Sequence, residues 1–93
     1  MKAIWNNKII AETKQTLVVE GKHYFPQDTV KLEYLSSSDY CEECPWKGLA
    51  KYYNLEVSGR EIPNAAWYYP SPKEEAVHVT GYISFVDSVE IID

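Results

Sequence analysis

Cysteine, histidine and glycine are all scarce in this chain, with two, two and four copies, and each scarcity excludes a class of protein. Cys41 and Cys44 lie too close together to staple a secreted fold, because a bridge across so short a loop removes little chain entropy. Structural zinc wants four ligands, and no second cysteine pair is present to complete a set. Two histidines are too few for most mononuclear catalytic centres. So little glycine leaves no phosphate-cradling loop: Lys47-Gly48 is followed by Leu49 where such a loop carries Ser or Thr. No His-Glu-x-x-His, paired-acid motif or G-x-S-x-G elbow occurs. No apolar run approaches a membrane span, and the first residues, MKAIWNNKII, lack the apolar stretch of a signal peptide. Basic residues are also in deficit, nine against fourteen acids, and they stand singly. Nucleic-acid binding needs a basic patch, so that partner is not expected. A reducing, cytoplasmic setting without membrane or nucleic acid is the expectation.

What the chain does hold is apolar and aromatic. Apolar residues make up 45% of it and charged ones 25%, a globular balance, and 93 residues fit one domain, 1–93. A domain this small buries only about 60–65% of its unfolded surface, so one core must carry the stability. Eight tyrosines and three tryptophans stand against two phenylalanines. Rings with a polar handle suit half-buried positions, where one end meets water or a ligand.

The pattern along the chain is that of short strands. Ala3–Trp5, Lys8–Glu12 and Thr16–Glu20 are rich in Ile and Val, Asn6-Asn7 marks a hairpin turn, and Gly21 closes the third run. His23-Tyr24-Phe25 forms a further extended segment ending at Pro26, and Val30–Tyr34 alternates as a strand with one wet face. Leu35–Gly48 loses all periodicity and reads as a loop. Ala50–Val57 alternates again, with Tyr53, Leu55 and Val57 on one side, and Ser58-Gly59 turns it into Arg60–Ile62. Ala65–Tyr69 is extended between Pro63 and Pro70, which puts Trp67 and Tyr69 on one face and Tyr68 on the other. Ser71-Pro72-Lys73-Glu74 starts a short helix with the serine as cap. Tyr82–Val86 and Val89–Ile92 complete a mainly β chain with one short helical turn.

Cys44-Pro45-Trp46-Lys47-Gly48 carries a resemblance, together with His23-Tyr24-Phe25-Pro26, Ala50, Tyr52-Tyr53, the Asn64–Pro70 run and Gly81-Tyr82-Ile83-Ser84-Phe85. These segments resemble the small bacterial family known as domain of unknown function 427 (DUF427), labelled nucleotidyltransferase-like, over nearly the whole chain. The resemblance implies compact, curved antiparallel sheets of the β-tent (Mss4-like) fold, which methionine sulfoxide reductase B and the ligand-binding domain of cereblon share. It also implies that a cysteine at position 44 is usual and that Cys41 is an addition of this chain. It implies a candidate pocket but no reaction.

The aromatic residues are the best functional lead. Trp46, Trp67, Tyr69 and Lys47, with Tyr24 and Tyr52 as neighbours, are the candidate ligand-binding set. Rings of this kind wall a pocket for a planar or cationic small molecule, and Lys47 offers a positive anchor at its mouth. The bland counterpart is that the rings supply core area, that Gly48 serves a turn with positive φ, and that Lys47 pairs with a carboxylate. Cys44 is the alternative nucleophile or redox centre, helped by Lys47 or His23, although Glu42 and Glu43 oppose a thiolate beside them. A protein-interaction domain with exposed tyrosines as hot spot is the third reading. The expected partner is a small molecule, with a homo-oligomer left open; no metal and no cofactor are assigned.

Overall fold

Dipeptide turns organise the chain, and the computed structural model describes all of residues 1–93. Strands β1 (Lys2–Trp5) and β2 (Lys8–Glu12) join through Asn6-Asn7, at φ 50° and 64°. Glu20-Gly21, at 53° and 78°, turns β3 (Leu17–Val19) into β4 (Lys22–Pro26). Ser58-Gly59, at 53° and 81°, does the same between β6 (Gly48–Val57) and β7 (Arg60–Tyr68). Two successive positive φ angles give the turn twist that matches paired strands, and Asn and Gly adopt them with least strain. The remaining strands are β5 (Leu35–Cys44), β8 (Tyr82–Phe85) and β9 (Glu90–Ile92).

Every pairing is antiparallel. One sheet has the order β2-β1-β9 and the other β3-β4-β8-β7-β6-β5. The larger sheet buries both faces. Ala3, Ile10 and Ala11 of the small sheet pack with Phe25, Leu55, Val57, Ala65, Ala66, Ile83 and Phe85, which places the main core between the sheets. A second cluster, built on Tyr24, Val19, Ala50 and Tyr69, lies on the opposite face and is closed by Ala76 and Val79. Neighbours Tyr24 and Phe25 divide between the two clusters, as do Trp67 and Tyr68, because successive strand residues point to opposite faces. The chain is thus mainly β, in two antiparallel sheets, an arrangement compatible with the tent-like fold. No helix is long and apolar enough to cross a membrane.

Four expectations need correction. Leu35–Gly48 is not a loop: Leu35–Cys44 is a ten-residue edge strand. None of its residues is buried and most are exposed, so no apolar alternation marks it. Val30–Tyr34 is not a strand, since only Val30 bridges, to Ala11, and Leu32–Tyr34 forms a 3-10 turn. The single helical turn becomes three 3-10 segments, at Gln27–Thr29, Leu32–Tyr34 and Glu74–Val79, and Lys73 rather than Ser71 stands at the cap of the last, without a side-chain bond. β7 also runs straight through Pro63. The pairing skips from Tyr53↔Ala66 to Leu55↔Ile62, and the resulting bulge frees Pro63 from the ladder. Asn64 takes φ 54° there, and its N–H is satisfied by Asn54 Oδ1 at 3.0 Å.

The β5–β6 turn, Pro45-Trp46-Lys47, is held by the segment before the last 3-10 turn. Lys73 N–H donates to the Lys47 carbonyl at 2.9 Å, and Lys73 Nζ donates to that of Pro45 at 2.6 Å. Gly48 closes the turn at φ +109°, where an added Cβ would stand 3.3 Å from the Ser71 carbonyl oxygen. Gly48→Ala is therefore expected to cost about 1–3 kcal/mol. Gly21→Ala, with nothing within 4 Å of its added Cβ, should cost less, and urea unfolding of both variants measures the difference.

Candidate functional site

The second face of the large sheet is an aromatic row set by register. Tyr24 pairs with Ser84, Ser84 with Trp67, and Trp67 with Tyr52, across β4, β8, β7 and β6. Tyr40 of β5 extends the row, its ring 4.9 Å from that of Tyr52. Ser84 is the small member. Because its side chain is short, Trp67 Nε1 reaches over it to donate to the Tyr24 hydroxyl at 3.2 Å, with the rings edge to face at 6.4 Å. Ser84 itself is fully buried and donates to the His23 carbonyl at 3.0 Å. Tyr52 and Trp67 lie 6.0 Å apart at a tilt of 40°. Lys22 Nζ caps Trp67 at 5.6 Å from its centroid.

Lys47 sits among these rings and not at a mouth. It is only 6% exposed, its Nζ lies 5.1 Å from the Trp46 ring centroid and 5.5 Å from that of Tyr69, and it donates to Glu20 Oε1. Glu20 belongs to the β3–β4 turn and Lys47 to the β5–β6 turn, so the pair ties together hairpins from the two ends of the sheet. Burial opposes the lysine's charge, but the Glu20 hydrogen bond and the phenols of Tyr24 and Tyr69 outweigh it and raise the Lys47 pKa. The same hydrogen bond lowers the carboxyl of Glu20. Burial, reinforced by Tyr24, pushes the Tyr69 phenol up to about 12. An ammonium held charged in this way anchors the fold and is a poor general base at neutral pH.

Open space adjoins the cluster on its β5 side. A groove of about 240 Å³ is lined by Glu42, Glu43, Cys44, Pro45, Ala50, Tyr52 and Tyr69. Of the expected ring set, Tyr52 and Tyr69 reach it, whereas Trp46, Lys47, Trp67 and Tyr24 stand behind as support. Glu42 Oε2 accepts from the Tyr40 hydroxyl at 2.7 Å, and that bond raises the Tyr40 pKa. Burial, then the charge of Glu42, raises Tyr52 as well. Cys44 lines the groove as a half-buried free thiol, and Cys41 is free and exposed. His23 lines a different cavity and its Nδ1 bonds Thr16 at 2.6 Å; Lys47 is bound to Glu20. The helpers expected for Cys44 are thus engaged elsewhere. No three His, Cys, Asp or Glu side chains gather as a metal set would.

Sequence reasoning overlooks Glu20 and Tyr40, reads Glu42 only as a charge beside Cys44, and reads Ser84 only as part of a family segment. Glu20 and Ser84 carry no signal on their own, because their roles arise from strands and turns distant in sequence. Glu42 and Tyr40 were readable only once Leu35–Cys44 is a strand, where positions two apart share a face.

Two outcomes test this construction. Ser84→Leu, which drives a branched side chain between Tyr24 and Trp67, should cost about 1–3 kcal/mol and shift tryptophan emission, read by urea unfolding followed by fluorescence. Lys47→Met should lower stability at neutral pH by about 1–2 kcal/mol, less than loss of a fully buried pair, because Glu20 is 57% exposed and rehydrates. The lowered Glu20 contributes stability that is present above its ordinary pKa near 4.3 and is lost as pH falls through its folded value. The raised Lys47 contributes stability that is whole below about 10.4 and fades as pH climbs through its folded value. Both slopes should flatten in Lys47→Met, while the alkaline loss owed to Tyr69 persists above about 10, as denaturation across the pH range will show.

No curated protein matches the chain. Residues 1–93 match the family described as a domain of unknown function, DUF427, and the chain belongs to that family.

Proposed function

We propose that this domain is a small-molecule binding module whose ligand is a compact organic cation. The observation that carries the reading is the composition of the groove. Two phenol rings, Tyr52 and Tyr69, form apolar walls beside the carboxylate of Glu42, which takes part in no ion pair, and Glu43 follows it along the rim. Ring faces and carboxylates both favour a positive guest, and a partly desolvated cation over a tyrosine gains about 0.5–2 kcal/mol. The bond from Tyr40 fixes Glu42 in place, so little orientational freedom is lost on binding. At about 240 Å³ the groove lies below the range of drug-sized pockets, roughly 300–1,000 Å³, which favours a ligand of few atoms. Trp67, Trp46 and the Lys47–Glu20 pair act as a rigid back wall in this reading.

Titration with tetramethylammonium and butylammonium, followed by the amide and ring resonances of Tyr52 and Tyr69, tests the reading against butyrate and tert-butanol. Both cations should saturate those signals in the millimolar range, and neither the anion nor the neutral compound should. Glu42→Gln should weaken cation binding about three- to tenfold, and Tyr52→Ala should remove most of it. Equal responses to the cation and its neutral isostere would defeat the proposal.

A further inference from the structure

The outer edge of β5 is open. The strand ends the six-stranded sheet; Leu35 N–H closes the preceding 3-10 turn on the Leu32 carbonyl, and no turn or loop backbone bond reaches Ser36–Cys44. Open edges of this length invite pairing with another chain, and folds blunt them with charge, proline or a bulge. β5 has no lysine or proline; its acids and its bulge guard it against like-charged strands and leave it open to a partner of opposite charge. A register shift between Ser37 and Cys41 divides it, and Tyr40 N–H turns inward there to Ser38 Oγ at 3.0 Å. The regular, exposed stretch left for pairing is Cys41–Cys44, held on its inner side against Gly48–Lys51.

The charge on this edge selects its occupant. Asp39, Glu42 and Glu43 lie within five residues of one another, and none of them forms an ion pair. Glu42 and Glu43 are successive, so their side chains flank the strand on opposite faces. A second copy of the chain pairing antiparallel about Glu42 or Glu43 would set that carboxylate directly opposite its own counterpart, and like charges placed across a ladder repel. A cationic strand meets attraction at the same positions.

We propose that the Cys41–Cys44 edge of β5 accepts an extended, lysine- or arginine-rich peptide as an added strand. Backbone pairing supplies the register, and the two carboxylates choose basic side chains on both faces. This mode uses N–H and C=O groups along the edge and does not depend on a ring-walled ligand in the groove. The stretch is short, so the complex is weak and falls off with salt.

The test uses the full chain and a short capped peptide of lysine and valine with lysine on both faces, at low ionic strength. Heteronuclear NMR should show saturable shifts of the Cys41–Cys44 amides and slowed exchange of those that acquire partners. N-methylation of alternate peptide residues, which leaves every charge in place, should weaken binding about tenfold or more. Glu43→Lys should weaken it by a similar factor. Equal affinity for the methylated peptide, shifts confined to other surfaces, or dimerisation of the chain through this edge would each overturn the proposal. Peptide binding without tetramethylammonium binding supports strand addition and counts only against the groove reading. The reverse pattern overturns strand addition and leaves the groove reading standing.

Discussion

Antiparallel register across the large sheet is the constraint on which the rest of the molecule depends. It sets Tyr24, Ser84, Trp67 and Tyr52 in one row on four adjacent strands. With a serine at the second place, two large rings meet over a gap and the indole finds its acceptor in a buried hydroxyl. A shift of one residue in any of these pairings would send the row to the other face, into the apolar core between the sheets. Both faces are filled, so the register is strongly specified.

Upon this row rests an electrostatic tie. Lys47 and Glu20 come from turns at opposite ends of the sheet, and their union spans the aromatic face. Its physical character is mixed: one partner is nearly buried among rings while the other faces solvent. The lysine compensates its lost hydration with a carboxylate and two ring faces, Trp46 and Tyr69. The rings in turn gain a fixed charge that stiffens the wall behind Tyr69. A stiff wall beside open space is the usual arrangement of a recognition surface, and here the open space and the unpaired edge both lie along β5.

Three acids and no base stand on that same strand. Glu42 is fixed by Tyr40, and Glu43 and Asp39 stand without counter-charges. On the two proposals made for them, the groove and the edge both select positive charge and differ in what they grip: ring faces in one, backbone in the other.

Much of this was legible in the residues themselves. The turns at Asn6-Asn7 and Ser58-Gly59 and the break at Gly21 follow from the positive φ angles that short hairpins require, and Gly48 from the same demand; that Glu20 joins the turn is seen only in the structure. The division of Trp67 and Tyr69 from Tyr68 follows from strand geometry alone, and the structure places them in the two separate clusters. The family was readable in the Cys44–Gly48 and Asn64–Pro70 segments, and the match over residues 1–93 shows it. What the sequence could not reveal depends on pairing between distant segments. β5 carries no apolar alternation because it is an edge strand exposed along most of its length, so it resembled a loop until β6 was seen beside it. Lys47 resembled a pocket anchor because its partner lies 27 residues away on another turn. Local steric rules act over a few neighbours and are written in composition and spacing; register and ion pairing are settled only when the sheet closes.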